Sequence, residues 1–336
     1  MKIQVVGLGH VGQSLVELVE EKEELLKSRG LVLNIVSVSD SKGTAVDKSG
    51  LSPREILRYK TVGWKGFGKF VGGFTALDAV REIECDVTVE LTPSTSNGEP
   101  GLSNIKAALA ARKSVVTANK GPLVVAFKEL ARAAKKNGVK LLFEATVGAH
   151  VPVFCMVESC FRADEVQRVR GILNATTNYV IGEMEKGKSF QEAINEAVSA
   201  GWAETNYSDD VDGVDSARKL VIIANALFSA NASLKDVNVE GIRHVETLVK
   251  AARDDNRKVK LICEIARNMD KLEMTVSPKI VAPDDPLATV NEGNMAIKYS
   301  FKTSKEIFVS AQFLGPKQTA YAVLNDIVRI GEQSCC

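Results

Sequence analysis

The sequence predicts an α/β protein. The first 143 residues read as a parallel sheet with helices on both faces, and the rest as an α+β domain with a mixed or antiparallel sheet. Three observations carry this reading. Short apolar runs alternate with helical periodicity up to residue 143. A glycine turn separates the first run from the first helix. Past residue 150 the alternation gives way to helices and then to four apolar runs in succession. The 336 residues, 45% hydrophobic and 25% charged, suffice to bury one large core or two smaller ones.

Residues 2–6 form a short apolar strand that runs into the glycines of 7–12. Residues 11–27 read as one helix, with Val11, Leu15, Leu18, Val19, Leu25 and Leu26 on one side and an acidic EEKEE tract toward water. Residues 31–38 are the second strand. The stretch 42–74 is polar and rich in Gly and Lys, which predicts an extended loop with a short helix starting at Ser52 and Pro53. Strand and helix then alternate through 86–91, 104–111, 114–117, 123–136 and 139–143. Parallel neighbours need crossover connections, so the alternation predicts a parallel sheet. Helical segments dominate 151–253. Residues 259–267, 272–276, 295–300 and 307–313 predict a second sheet, and 319–330 an amphipathic helix.

Lys plus Arg number 43 against 42 for Asp plus Glu, a net charge of +1, so no global field draws a nucleic-acid backbone or an anionic membrane. A small uncharged or zwitterionic partner fits better. The N-terminal residues lack the layout of a signal peptide, and no apolar stretch reaches the length of a membrane span. Cysteines 85, 155, 160, 263, 335 and 336 are sparse and unframed. The cytoplasm is the expected compartment.

Three constellations carry chemistry. Gly7-Leu8-Gly9-His10-Val11-Gly12 is a G-x-G-x-x-G that follows a strand and opens a helix, the context in which this pattern binds a dinucleotide. Gly7 permits the tight turn, Gly9 lets a pyrophosphate approach, and Gly12 lets helix and strand pack closely. Val11 belongs to the same binding turn, and His10 reads as solvent-facing rather than catalytic. Asp40 ends the second strand, where an acid accepts hydrogen bonds from the adenosine ribose. Lys42 can instead meet a 2′-phosphate, so both NAD and NADP remain open. The second constellation, Thr117-Ala118-Asn119-Lys120-Gly121-Pro122, lies at the end of a parallel strand on the same edge, where Lys120 reaches substrate and nicotinamide together. The third spans 203–220. Glu204, Asp209, Asp210, Asp212 and Asp215 place five carboxylates in twelve residues, without the glycine and terminal glutamate of a calcium loop. Asp215 and Lys219 share one face of a helix whose continuation, LVIIANALF, is apolar, so a charged pair at its start is expected to line a cleft.

These motifs resemble the homoserine dehydrogenase family: GLGHVG, VELTPS at 89–94, VVTANKGPL at 115–123, EATVGAHVPV at 144–153, GILNATTNY at 171–179 and GWAETNYSDDVDGVDSARKL at 201–220. The resemblance implies a Rossmann dinucleotide-binding domain, residues 1–143 with 316–336, and a catalytic and dimerisation domain, 144–315. It further implies a homodimer built through 144–150 and about 255–315, and a C-terminal helix returning to the cofactor domain. No regulatory ACT domain or fused kinase is expected. The implied reaction is the reversible hydride transfer between NAD or NADP and the pair L-homoserine and L-aspartate 4-semialdehyde, a step of threonine and methionine biosynthesis. Such chemistry needs a group to exchange the hydroxyl proton, which a lysine made less basic by burial or a second cation supplies. Lys219 is the preferred proton carrier and Lys120 its partner, polarising the oxygen. Glu204, Asp210 and Asp215 would receive the substrate ammonium, with Thr176 beside them. Thr92, Pro93 and Gly315 join the dinucleotide site, and Glu144, Val147, Ala149 and Val151 would hold Na+ or K+.

Two features depart from the family: His150 beside the cation loop, and the glycine-poor segment 315–320 before the last helix. Rival classes are weighed by the same residues. A phosphate-using semialdehyde dehydrogenase needs an activated cysteine, whereas Cys155 and Cys160 lie on an apolar helix and Cys85 precedes a core strand. A non-catalytic dinucleotide-binding redox sensor would not need the Lys120, Glu204, Asp215 and Lys219 set. Cys335 and Cys336 read as an inert frayed end, or as partners of an intersubunit disulfide that restrains the last helix.

Overall fold

The computed structural model describes residues 1–201, 203, 205–269 and 271–333, and these form two compact units, 1–150 with 315–333 and 151–314. In the first, β1 (Lys2–Val6) leads into α1 (His10–Glu21) and α2 (Glu23–Ser28), then β2 (Asn34–Asp40), β3 (Gly43–Val46), α3 (Pro53–Val62) and β4 (Phe70–Gly72). Next come α4 (Ala76–Glu82), β5 (Val87–Glu90), α5 (Gly101–Ala110), β6 (Ser114–Thr117), α6 (Lys120–Asn137) and β7 (Leu141–Leu142). The sheet order is β4-β3-β2-β1-β5-β6-β7, with β2, β1, β5, β6 and β7 parallel and β3 and β4 added antiparallel at one edge. Successive strands are added to one side of β1 as far as β4 and to its other side from β5, so the strand order switches between β1 and β5, the crevice where such sheets take ligands. The C-terminal helix, Pro316–Gln333, packs on α1 and inserts Ala320, Val323, Leu324 and Ile327 into the core formed with Ile3, Val5 and Leu15.

Two expectations for this unit are corrected. The single helix over 11–27 breaks at Lys22, and the break lets Leu26 bury while Leu25, expected on the apolar side, is 49% exposed. The stretch 42–74 contains the short helix expected at Ser52 and Pro53, as α3, but the rest of it is not an extended loop. A tight turn after Asp40 folds β3 back on β2, and Trp64 stacks on Phe70 at 4.9 Å and Tyr59 on Phe67 at 4.3 Å, an aromatic core that its polar composition conceals.

The second unit comprises α7 (Phe154–Cys160), β8 (Val166–Ile172), α8 (Ala175–Glu185), α9 (Phe190–Ser199), α10 (Ser208–Val211) and α11 (Val214–Leu227). After these come β9 (Val237–Val239), α12 (Glu246–Asp254), β10 (Lys258–Asn268), β11 (Lys271–Val281), β12 (Met295–Phe301) and β13 (Glu306–Ala311). Its sheet runs β13-β12-β8-β10-β11-β9, antiparallel except for β9 beside β11. The helix-dominated reading of 151–253 therefore missed β8, an interior strand. Arg168 and Arg170 break its apolar pattern because each pairs across the sheet face, with Glu264 and Asp285 respectively. No described helix is long and apolar enough to cross a membrane.

Candidate active site

The three glycines of the first turn are required for three different reasons. Gly7 has φ +99°, and a Cβ there would lie 2.6 Å from the Leu91 carbonyl carbon and 2.8 Å from Thr92 N. A Cβ on Gly12 would meet the Gly7 oxygen at 2.2 Å, so α1 can approach the turn only without a side chain. Gly9 faces open space, with nothing within 4 Å of a Cβ, which is the room a pyrophosphate needs to reach the free N–H groups of α1. His10 is exposed and is the first residue of α1 rather than a loop residue, and Val11 is half-buried beside it.

Asp40 sits at the carboxyl end of β2, as the sequence predicts, but its carboxylate is engaged within the protein. Lys42 N donates to Oδ1 at 2.8 Å, and Lys60 Nζ and Trp64 Nε1 each donate to Oδ2 at 2.9 Å. Burial acts to raise its pKa, and these three donors outweigh it and hold the carboxyl below its usual range. Lys42 thus contributes its backbone, and Lys60 and Trp64 are partners of Asp40 that the sequence reading did not reach.

Lys120 opens α6, with Asn119 as its N-cap accepting from Gly121 N at 3.1 Å. A cation at a helix N-terminus opposes the helix dipole, so this placement is one that helix stability alone would not select. Thr92 is half-buried and Pro93 exposed just beyond β5, in the same unit and at the same edge of the sheet.

In the second unit the acidic stretch divides. Asp209 pairs with Arg218 and Asp212 with Arg243, ordinary surface ion pairs. Asp210 and Asp215 instead converge on Asn174, whose Nδ2 donates to Asp210 Oδ1 at 2.6 Å and to Asp215 Oδ2 at 3.1 Å. Lys219 Nζ lies 2.8 Å from Asp215 Oδ2 and donates to the Leu173 carbonyl at 2.5 Å, with only 11% of its side chain exposed. The expected i,i+4 pair is thus a largely buried one, at the start of an α11 whose residues Leu220–Asn225 are all buried. Asn174, the N-cap of α8, organises this cluster and was read in the sequence only as part of a motif. Thr176, in the first turn of α8, is buried. Glu204 lies outside the described residues, as do Cys335 and Cys336.

The segment carrying Glu144, Val147 and Ala149 is buried. Glu144 N donates to Asp326 of the C-terminal helix at 2.9 Å, and Ala149 holds a left-handed φ of +51°. Val151 begins the second unit. Among the described residues His150 Nδ1 is buried without a hydrogen-bond partner, and burial lowers the pKa of this imidazole. Gly315, with φ +137°, precedes the C-terminal helix. No group of three His, Cys, Asp or Glu side chains able to hold a metal occurs among the described residues. Burial pushes the Cys85 thiol up and the Cys263 thiol up to about 11, settings that do not activate a nucleophile. Cys160, expected to be shielded on an apolar helix, is exposed at the end of α7.

A glycine turn shaped for a pyrophosphate, on a doubly wound sheet, and a buried carboxylate–lysine pair on a second unit define an oxidoreductase that uses a nicotinamide dinucleotide. Two family models match the chain: "Homoserine dehydrogenase, NAD binding domain" over residues 7–144, and "Homoserine dehydrogenase" over 152–328. The chain is 35% identical to a homoserine dehydrogenase of Methanocaldococcus jannaschii, covering 98% of each chain. It is 33% identical to an NAD(+)-dependent homoserine dehydrogenase of Pseudomonas canavaninivorans, over 99% of this chain and 97% of that one. A hyperthermophilic archaeal homoserine dehydrogenase solved in complex with NADPH superimposes with a TM-score of 0.85 at 27% identity, covering 99% and 98% of the two chains. The chain belongs to the homoserine dehydrogenase family. Its activity is the NAD(P)-dependent interconversion of L-homoserine and L-aspartate 4-semialdehyde.

Proposed function

We propose that Lys219 is the proton carrier of this reaction and that Asp210 and Asp215, with Glu204, hold the substrate ammonium. The observation that carries the reading is the Lys219 ammonium itself. Among the described residues two of its three donor positions are taken, by Asp215 and by the Leu173 carbonyl, which leaves one directed donor for a substrate oxygen. In the reducing direction Lys219 Nζ gives its proton to the developing alkoxide, and in the oxidising direction it receives the hydroxyl proton. Lys120 polarises the same oxygen. Thr176 lines the substrate end. The nicotinamide, when bound, supplies or takes the hydride. Gly7, Gly9, His10, Val11 and Gly12 hold the dinucleotide phosphates, Asp40 lies at its ribose, and Thr92, Pro93 and Gly315 complete that site.

The carbonyls of Glu144, Val147, Ala149 and Val151 would hold Na+ or K+, whose charge would order the turn. We further assign the protein to the cytoplasm and to a homodimer.

The test is homoserine oxidation by purified protein, followed through the absorbance of the reduced nicotinamide with each dinucleotide. Lys219→Ala is expected to lower kcat by roughly 100-fold or more, the usual worth of a positioned acid–base group. Dinucleotide binding should be unchanged. Full turnover by that variant would remove the role from Lys219.

A further inference from the structure

Glu90 closes β5 with no exposed surface, and its carboxylate is turned back over the end of its own strand. Oε1 accepts from Thr92 N at 2.8 Å, from the Thr92 hydroxyl, and from Asn119 Nδ2 at 3.5 Å. Oε2 accepts from Asn104 Nδ2, on α5, at 2.8 Å. Asn119 Nδ2 also donates to Thr92 Oγ1 at 3.2 Å, so two strand-end loops meet on one oxygen. All four contacts are donations to Glu90, an arrangement that fits a carboxylate and gives an apolar side chain nothing to bond.

The backbone around this carboxylate has no slack. Glu90 lies in register between Val6 of β1 and Thr117 of β6. Its carbonyl accepts from Thr117 Oγ1 at 2.9 Å, and that hydroxyl accepts from Asn119 N at 2.9 Å. A Cβ on Gly101 would lie 2.4 Å from Asn119 Nδ2 and 3.2 Å from Glu90 Oε1. Gly7 presses on the Leu91–Thr92 peptide, so moving Thr92 moves the floor of the glycine turn. Burying a carboxylate is costly, and desolvation pushes that of Glu90 up. A methionine of similar volume would avoid that cost but would leave the Thr92, Asn104 and Asn119 donors without an acceptor, so the acid is kept for what it bonds and not for packing.

We propose that Glu90 is a positioning residue: it fixes Thr92 and the Asn119–Lys120 corner to one anchor, setting the dinucleotide-facing loop and the lysine in register. Glu90 acts through its neighbours and does not itself touch the reacting atoms. The inference rests on the reading of Thr92 and Lys120 as site residues.

Glu90→Met removes the acceptors and keeps the volume. The expected result is a folded protein whose thermal midpoint falls because the donors lose their acceptor, together with a dinucleotide Kd raised at least tenfold, read from fluorescence of NADH and NADPH, and a kcat lowered at least tenfold. Glu90→Gln retains an oxygen for Thr92 and Asn119, since Asn104 can turn its amide to accept from the new NH2. It should recover both constants to within about fivefold. Unchanged Kd and kcat in folded Glu90→Met would overturn the proposal, as would losses that Glu90→Gln shares in full. If Glu90→Met does not fold, Asn104→Leu removes one of the four donors, and wild-type constants in that variant overturn the proposal equally. Lys120→Ala, measured alongside, separates the two levels. Wild-type turnover there sinks the site reading, whereas an inactive Lys120→Ala beside an unaffected Glu90→Met sinks only the role of Glu90.

Discussion

Asp40 illustrates how a residue's chemistry depends on what folds against it. The end of a second strand is where an acid receives ribose hydroxyls, yet here Lys60 and Trp64 already occupy one of its oxygens. Asp40→Ala would remove a carboxylate that repels a 2′-phosphate and release Lys60 to meet one. The ratio of kcat/KM with NADP to that with NAD should rise by about tenfold to a hundredfold, the worth of one charged hydrogen bond. Steady-state kinetics with both dinucleotides measure it, and an unaltered ratio would discount Asp40 as a discriminator. Lys260 offers a second test, on stability. It is 1% exposed, donates to Asn178 Oδ1 at 3.1 Å and Val290 O at 2.6 Å, and burial lowers it from 10.5 to about 8. A lysine with a lowered folded pKa leaves the unfolded chain binding more protons between those values, so stability rises with pH across that window. The wild type should therefore gain on Lys260→Met by up to about 3 kcal/mol between pH 8 and pH 10.5. Denaturant titrations at the two ends decide this, and a constant difference would count against it.

At the scale of elements, the β1–turn–α1 unit separates folding from binding. Gly9→Ala meets no protein atom and should leave the melting temperature within about a degree or two, since surface changes usually cost under about 0.5 kcal/mol. It should nevertheless weaken dinucleotide binding, because the new methyl stands where the pyrophosphate approaches. Gly12→Ala drives a methyl into the Gly7 oxygen and should lower both stability and binding. Differential scanning calorimetry paired with NADPH fluorescence titration distinguishes them, and equal thermal losses in the two variants would contradict the geometry. The helix α11 shows a related division: its first two turns carry Asp215 and Lys219, while its later residues Leu220–Asn225 are all buried and hold it in place.

For the whole molecule, the proposed homodimer predicts a light-scattering mass of twice 36.3 kDa, independent of concentration in the micromolar range, and a mass of one chain would refute it. Read without the fold, the sequence yields the glycine turn, β1 and β2 with a helix between them, the alternation from β5 to β7, and the pairing of Asp215 with Lys219. Each of these is set by contacts only a few residues apart, and local spacing records them directly. It also carried six family motifs in order, enough to identify the reaction. The features that had to wait for the fold depend on partners distant in the chain. β8 was hidden because Arg168 and Arg170 look like solvent residues until Glu264 and Asp285, about a hundred positions away, arrive to pair with them. β3 and β4 were hidden because their stability comes from Trp64, Phe67 and Phe70 stacking across a polar stretch. Glu90 was legible only as one letter of the VELTPS motif, and its bonds to Thr92, Asn104 and Asn119 exist only once two strand-end loops and α5 are brought to one strand end. A sequence records which side chains are available, but a buried charge takes its role from the groups that desolvate and bond it, and these come together only through folding.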